Sequence, residues 1–167
     1  MKRVLGIDPG KGGALAYLVG DVLDEVVDMP TLLAGKTKKS KKSSIDEVEL
    51  ARRVKKIVAR GLDVAFLELV GVRPGEGPTG AFTFGRGYGV VRGILRAHFV
   101  PIRDVTPTTW KRALGIEAGA GKDASRALAK ELWQEQADLF ARVKDDGRAE
   151  ASLIAHYGRL KLAKEAA

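Results

Sequence analysis

The chain opens with three apolar-rich runs, at residues 4–7, 14–19 and 22–29, separated by turns at residues 10–13 and at Gly20-Asp21. Short aliphatic and β-branched runs between such turns predict three strands in an antiparallel meander. Met29-Pro30 ends it. Residues 63–70 form a nearly continuous apolar run, the pattern of a buried central strand. Residues 99–105 make a further strand, in which Pro101 favours an edge or a bulge. Elsewhere the period is helical. Val48, Leu50, Ala51, Val54, Ile57 and Val58 recur on one face, with Ser44 as N-cap, Glu47 three residues on as in a capping box, and Gly61 as C-cap. Further helices are predicted from near Ala81 to Phe99, from Thr106 as N-cap to near Gly115, from Asp123 to Glu135, and from Asp146 onward.

Two acids break this pattern. Asp8 closes the first strand, just before Pro9-Gly10 turns the chain, and Glu68 interrupts the run at 63–70 near its C-terminal end. A carboxylate on a core strand is costly unless it is paired, hydrogen-bonded or bound to a cation. If the two strands are neighbours, both carboxylates emerge at the same end of the sheet, where open α/β sheets place their sites. That points to a metal site anchored on Asp8. On the last helix, Asp146 and Glu150 are four residues apart and share a face. Capping and the helix dipole account for Asp145 or Asp146 at its start. They do not account for Glu150, which leads into the apolar residues 151–155.

The chain has 167 residues, which suits a single domain with its own core. It has no cysteine and only two histidines, so disulfides and thiolate sites are excluded and oxygen ligands for a hard cation are favoured. No apolar run is long enough for a membrane span. The absence of a signal-peptide pattern leads us to expect a cytoplasmic protein. The net charge of +8 suggests a polyanionic partner. Residues 35–44 carry five lysines among Gly, Ser and Thr, a composition that cannot form a core. Such a run is either solvated or a basic arm for a phosphate backbone, with Lys38, Lys39, Lys41 and Lys42 as the contacts. Arg73, Arg86, Lys111 and Lys122 extend the candidate DNA-binding set. Phe82 and Phe84 are candidates for base stacking, although aromatic stripes are more often core. Gly85, Gly89 and Gly93 repeat every four residues and would let a second helix or a DNA backbone come close. The Gly-x-Gly pieces between 75 and 89 lack the βαβ context of a dinucleotide fingerprint, so no nucleotide cofactor is expected.

Taken in order, Gly6-Ile7-Asp8-Pro9-Gly10, the acid-bearing Phe66-Leu67-Glu68, the Pro-Gly-x-Gly and Phe-x-Phe-Gly stretch, Val105-x-Pro107-x-x-Trp110-Lys111 and the late Asp-Gly-Arg-Ala-Glu-Ala block resemble the RuvC family of Holliday junction resolvases, especially its phage-type branch. The resemblance covers nearly the whole chain. It implies one RuvC-like nuclease domain over residues 1–167, with an RNase H-like α/β fold: a mixed five-stranded sheet with helices on both faces. It implies a homodimeric crossover junction endodeoxyribonuclease, using two Mg²⁺ or Mn²⁺ ions per active site to nick opposing strands of a four-way DNA junction. A phage-encoded protein of this kind would work in the bacterial host cytoplasm. By this resemblance Asp8 and Glu68 are the first two metal ligands and the last helix supplies the other two. The familiar pattern has those two ligands three apart and ends in Asp-Ala. Here the terminal member is Glu150 and the position three before it is Gly147. Asp146 is the best substitute and Asp145 the next. Two other readings remain: a branched-DNA binder without catalysis, and an actin-like or sugar-kinase-type ATPase fragment, for which 167 residues hold only one of two related halves.

Overall fold

A computed structural model describes residues 1–34, 42–71, 75 and 77–167. Its centre is a five-stranded sheet in the order β3-β2-β1-β6-β7. Strands β1 (Arg3–Asp8), β2 (Ala14–Val19) and β3 (Val22–Asp28) form the expected antiparallel meander. Strand β6 (Val64–Glu68) runs parallel to β1, and β7 (Ile102–Val105) parallel to β6. Pro101 lies just before β7, the edge strand, as its missing N–H requires. Strands β4 (Thr31–Ala34) and β5 (Lys42–Ile45) pair separately as a two-stranded ribbon, which the apolar pattern did not reveal.

Alternation along the strands divides the core in two. Val4, Val64 and Phe66 point to one face, where they meet α3 (Pro107–Ala113), α4 (Lys122–Leu132) and α5 (Asp146–Glu165). Leu5, Ile7, Ala65 and Leu67 point to the other, against α1 (Glu47–Ala59) and α2 (Pro78–Ala97). This is the mixed sheet with helices on both faces that the sequence led us to expect. Among the described residues no helix is long and apolar enough to cross a membrane.

Several boundaries differ from expectation, among them the start of β7 at Ile102 instead of Phe99 and the end of α4 at Leu132 instead of Glu135. Helix α1 is capped by Asp46, whose carboxylate accepts from Glu49 N at 3.0 Å, rather than by Ser44. Ser44 instead pairs with Leu32 in the β4–β5 ribbon, and extended backbone there leaves the cap to the next acid. Helix α2 begins at Pro78, three residues before Ala81, because proline is suited to a first helical position. Between α4 and α5 the chain makes short 3-10 turns at Gln134–Phe140 and Val143–Asp145.

Helix α5 lies unusually close to the sheet. A side chain at Gly6 would place its Cβ 2.8 Å from Ala155 Cβ and closer still to backbone atoms of Ala151 and Ala155. Gly147 stands against the backbone of Gly12 and Gly13, and Gly158 against the Phe66 ring. Gly147, Ala151, Ala155 and Gly158 thus form a stripe of small residues along the face that meets β1 and β6. By contrast, among the described residues nothing stands within 4 Å of a Cβ built at Gly85, Gly89 or Gly93 of α2.

Gly6→Ala is therefore expected to lower the unfolding free energy by about 1–3 kcal/mol, the cost of overpacking against atoms that cannot yield. Gly93→Ala, on an open helix face, is expected to raise it by up to about 1 kcal/mol. Urea denaturation of the two variants reads both signs; equal effects would remove the special status given to Gly6.

Candidate active site

The parallel register sets Ile7 opposite Leu67. Asp8 and Glu68, each the next residue, therefore end neighbouring strands at the same edge and on the α5 side of the sheet. Asp8 is half-buried and accepts from Gly10 N at 3.1 Å, the local bond that turns the chain after the strand. A Cβ at Gly13 would crowd the Asp8 carboxyl carbon at 2.7 Å, so the glycine turn gives that side chain its room. Glu68 is buried, with only 5% of its surface exposed.

Glu68 is held by a residue that the sequence reading named only as part of a motif, with no role of its own. Trp110 Nε1 donates to Glu68 Oε1 at 2.9 Å from a fully buried position in α3. Burial raises the Glu68 pKa, the indole hydrogen bond lowers it, the charges of Asp8 and Glu150 raise it and Lys111 lowers it; the balance is a pKa of about 7. A carboxyl so far above its ordinary range marks concentrated, poorly solvated negative charge.

Helix α5 brings the remaining acids. Glu150 accepts from Lys111 Nζ at 2.8 Å, and the same ammonium lies 5.0 Å from the centre of the Trp110 ring. Asp146 is ion-paired with Arg126, Nε to Oδ1 at 2.9 Å, at an angle unsuited to a hydrogen bond. Asp145, the other candidate on this helix, is turned to a different task. It is almost wholly buried and accepts from Arg142 through the backbone N at 2.8 Å and through the guanidinium at 2.7 and 3.1 Å. The Arg142 hydrogen bond holds its carboxyl below the usual range. The geometry thus commits Asp145 to its own turn and pairs Asp146 with Arg126 of α4. It also accounts for Gly147, where any side chain would run into the backbone of the Gly12-Gly13 turn.

Lys111, read from the sequence as a phosphate contact, stands inside the carboxylate cluster as the counter-ion of Glu150. Arg126 was missed altogether; its only signal is a basic residue on the inward face of α4. The other proposed DNA contacts are spread more widely. Phe82 and Arg86 are exposed one turn apart on α2, whereas Phe84 is partly covered and stacks on Tyr88, ring centres 6.4 Å apart. Lys38, Lys39, Lys41 and Arg73 lie outside the described residues, as do the side chains of Lys42 and Lys122, whose backbones fall in β5 and at the first position of α4.

All four candidate ligands are carboxylates, the donor chemistry of Mg²⁺ or Mn²⁺ sites. The mutual repulsion of Asp8, Glu68 and Glu150 is what a cation would relieve, so the residues fit such an ion in kind. Among the described residues no three acidic or histidine side chains are already gathered as a cage. Lys111 and Arg126 draw Glu150 and Asp146 to themselves.

Comparison with known proteins agrees with the resemblance read from the sequence. No family model matches the chain. Over 90 residues, 54% of the chain, it is 34% identical to a chloroplastic Holliday junction resolvase of Chlamydomonas reinhardtii, of which it spans about a tenth. Among solved structures, Thermus thermophilus RuvC in complex with a Holliday junction substrate superposes with a TM-score of 0.66 at 19% identity, over 96% of this chain and 97% of that one. A second Thermus thermophilus RuvC structure gives a TM-score of 0.56 at 18% identity, over 95% and 96% of the two chains. The chain has the RuvC-type, RNase H-like fold.

The raised Glu68 pKa has a sign that can be tested. Between the ordinary value of 4.5 and about 7 the folded state holds a proton that the unfolded state has lost. Stability therefore falls as pH rises through that window. In metal-free buffer the wild type should lose up to about 3 kcal/mol relative to Glu68→Gln between pH 4.5 and 7. Parallel urea titrations measure the difference, and identical pH profiles would refute it.

Proposed function

We propose that this protein is a divalent-metal-dependent, structure-specific endodeoxyribonuclease that resolves four-way DNA junctions by paired nicks. The observation that carries this reading is that Asp8 and Glu68 end neighbouring parallel strands, with Glu150 linked to them through Lys111 and Trp110, in the fold of a RuvC solved with a Holliday junction. The sequence likeness to a Holliday junction resolvase supports the same substrate class.

Phosphodiester hydrolysis needs an activated water, relief of the phosphate's charge and stabilisation of the leaving 3′-oxygen. Two bound Mg²⁺ or Mn²⁺ ions supply this chemistry. Asp8 at the sheet centre, Glu68 at the end of the neighbouring strand, and Asp146 with Glu150 from α5 would hold such ions. The protein's own part is to hold these carboxylates in a desolvated edge of the sheet and to supply positive charge beside them. Lys111 and Arg126 neutralise Glu150 and Asp146 in the metal-free state. Lys38, Lys39, Lys41, Lys42, Arg73, Arg86, Lys111 and Lys122 are proposed to bind DNA phosphates. Phe82, exposed near the start of α2, is the better stacking candidate of the two phenylalanines. A homodimer matches the two-fold symmetry of a junction. The open glycine face of α2 supports that helix as the dimer contact.

The decisive experiment is cleavage of a plasmid-borne cruciform with Mg²⁺ or Mn²⁺. Coordinated nicks by a dimer convert the supercoil directly to linear DNA. Asp8→Asn should reduce the rate by more than about a hundredfold, above the range for residues that merely orient a ligand. Junction binding without nicks in either metal would indicate a DNA binder lacking catalysis, and ATP turnover without DNA an ATPase.

Replacing Lys38, Lys39, Lys41 and Lys42 by alanine should weaken junction binding. It should also flatten the dependence of log affinity on log salt by up to about 3–4 units. An unchanged slope would mean that the run is only solvated.

A further inference from the structure

Trp110 is fully buried among apolar residues on the α5 side of the sheet, and its Nε1 hydrogen-bonds to a carboxylate. A position that needed only volume would be filled at lower cost by phenylalanine or leucine, since a buried indole N–H must find an acceptor. The acceptor here is itself expensive, a buried carboxylate at the edge of an acidic cluster. The same ring also faces the ammonium of Lys111, which binds Glu150. One side chain therefore touches both halves of the cluster, the strand acid through its edge and the helix acid through Lys111. Its base is fixed as well. Thr106 caps α3, accepting from Thr109 N at 3.3 Å, and Pro107 stiffens its first turn.

We infer that Trp110 is a positioning residue that presents Glu68 to a divalent cation, an inference that rests on reading the cluster as a metal site. An indole N–H is a donor only, so it can pin a carboxylate without competing for the cation. It engages Glu68 Oε1, so the carboxylate is pinned through one of its two oxygens. Outer partners of this kind set ligand orientation and contribute to metal affinity. Phenylalanine at this position would keep most of the packing and lose the pin.

Calorimetric titration of Mn²⁺ into the metal-free proteins tests this. Trp110→Phe is expected to bind Mn²⁺ about tenfold or more weakly than wild type. Phe140→Leu, which loosens the same core without touching a carboxylate, is expected to melt lower yet bind Mn²⁺ as wild type does. Equal affinity in Trp110→Phe and wild type overturns the inference and leaves the metal site standing. A wild type that binds no Mn²⁺ overturns both. A second measurement needs no destabilising change at Trp110. In the ¹H–¹⁵N spectrum of the wild type, Mg²⁺ should shift the indole signal of Trp110 and leave that of Trp133 in place. An unmoved Trp110 signal at saturating Mg²⁺ overturns the inference.

Discussion

The structure depends on how closely α5 approaches β1. Two glycines, Gly6 on the strand and Gly147 on the helix, together with Ala151, Ala155 and Gly158, remove the side chains that would normally separate helix from sheet. The helix then buries Ala149, Ala151, Leu153, Ile154 and Ala155 completely, so the contact contributes both core area and position. Position is what the chemistry needs. Asp8 stands at the end of β1 and Glu150 one turn into α5, and their convergence on Glu68 follows from that approach. Moving the helix outward by the radius of a methyl group would weaken the core and open the acidic cluster together.

Gathering carboxylates at a desolvated sheet edge opposes folding, and the protein limits the cost residue by residue. Trp110 donates to Glu68, Lys111 to Glu150, Arg126 is paired with Asp146, and Arg142 and a backbone amide hold Asp145. These partners differ in kind. Arg142 shares its short 3-10 turn with Asp145, a structural arrangement that builds the start of α5. Lys111 and Arg126 reach across from α3 and α4, so their charges would be released if a cation took over the acids they neutralise. Two adjacent aspartates at the start of α5 thus have separate partners, Asp145 tied to Arg142 within its own turn and Asp146 paired with Arg126 of α4.

Much of this was legible in the residues. The meander, the central strand with its acid, and the helical faces follow from periodicity and turn chemistry. The pairing of Asp8 with Glu68 needed one further assumption, that β1 and β6 are neighbours, and the parallel register meets it. What escaped reading was long-range. Gly147 looked like a gap in a ligand pattern, and only the proximity of the Gly12-Gly13 turn shows why no side chain fits there. Lys111 read as a candidate phosphate contact, because nothing local reveals that Glu150 lies beside it. Trp110 was visible as a motif residue without a role, since its partner is distant in the chain. The β4–β5 ribbon was hidden by a polar, lysine-rich composition that carries no alternating apolar signal.

The position of α5 in the chain also sets an order of events. Asp8 and Glu68 are synthesised before Glu150 and the small-residue face of α5. Until that helix docks, the sheet face carrying Val4 and Phe66 lacks its main cover, and Glu150 is not yet in place beside Lys111. A partly synthesised or partly unfolded chain is therefore without the full carboxylate set. The burial that completes the core also assembles the site, so the chemistry proposed for this protein cannot act on the cell's DNA before folding is finished.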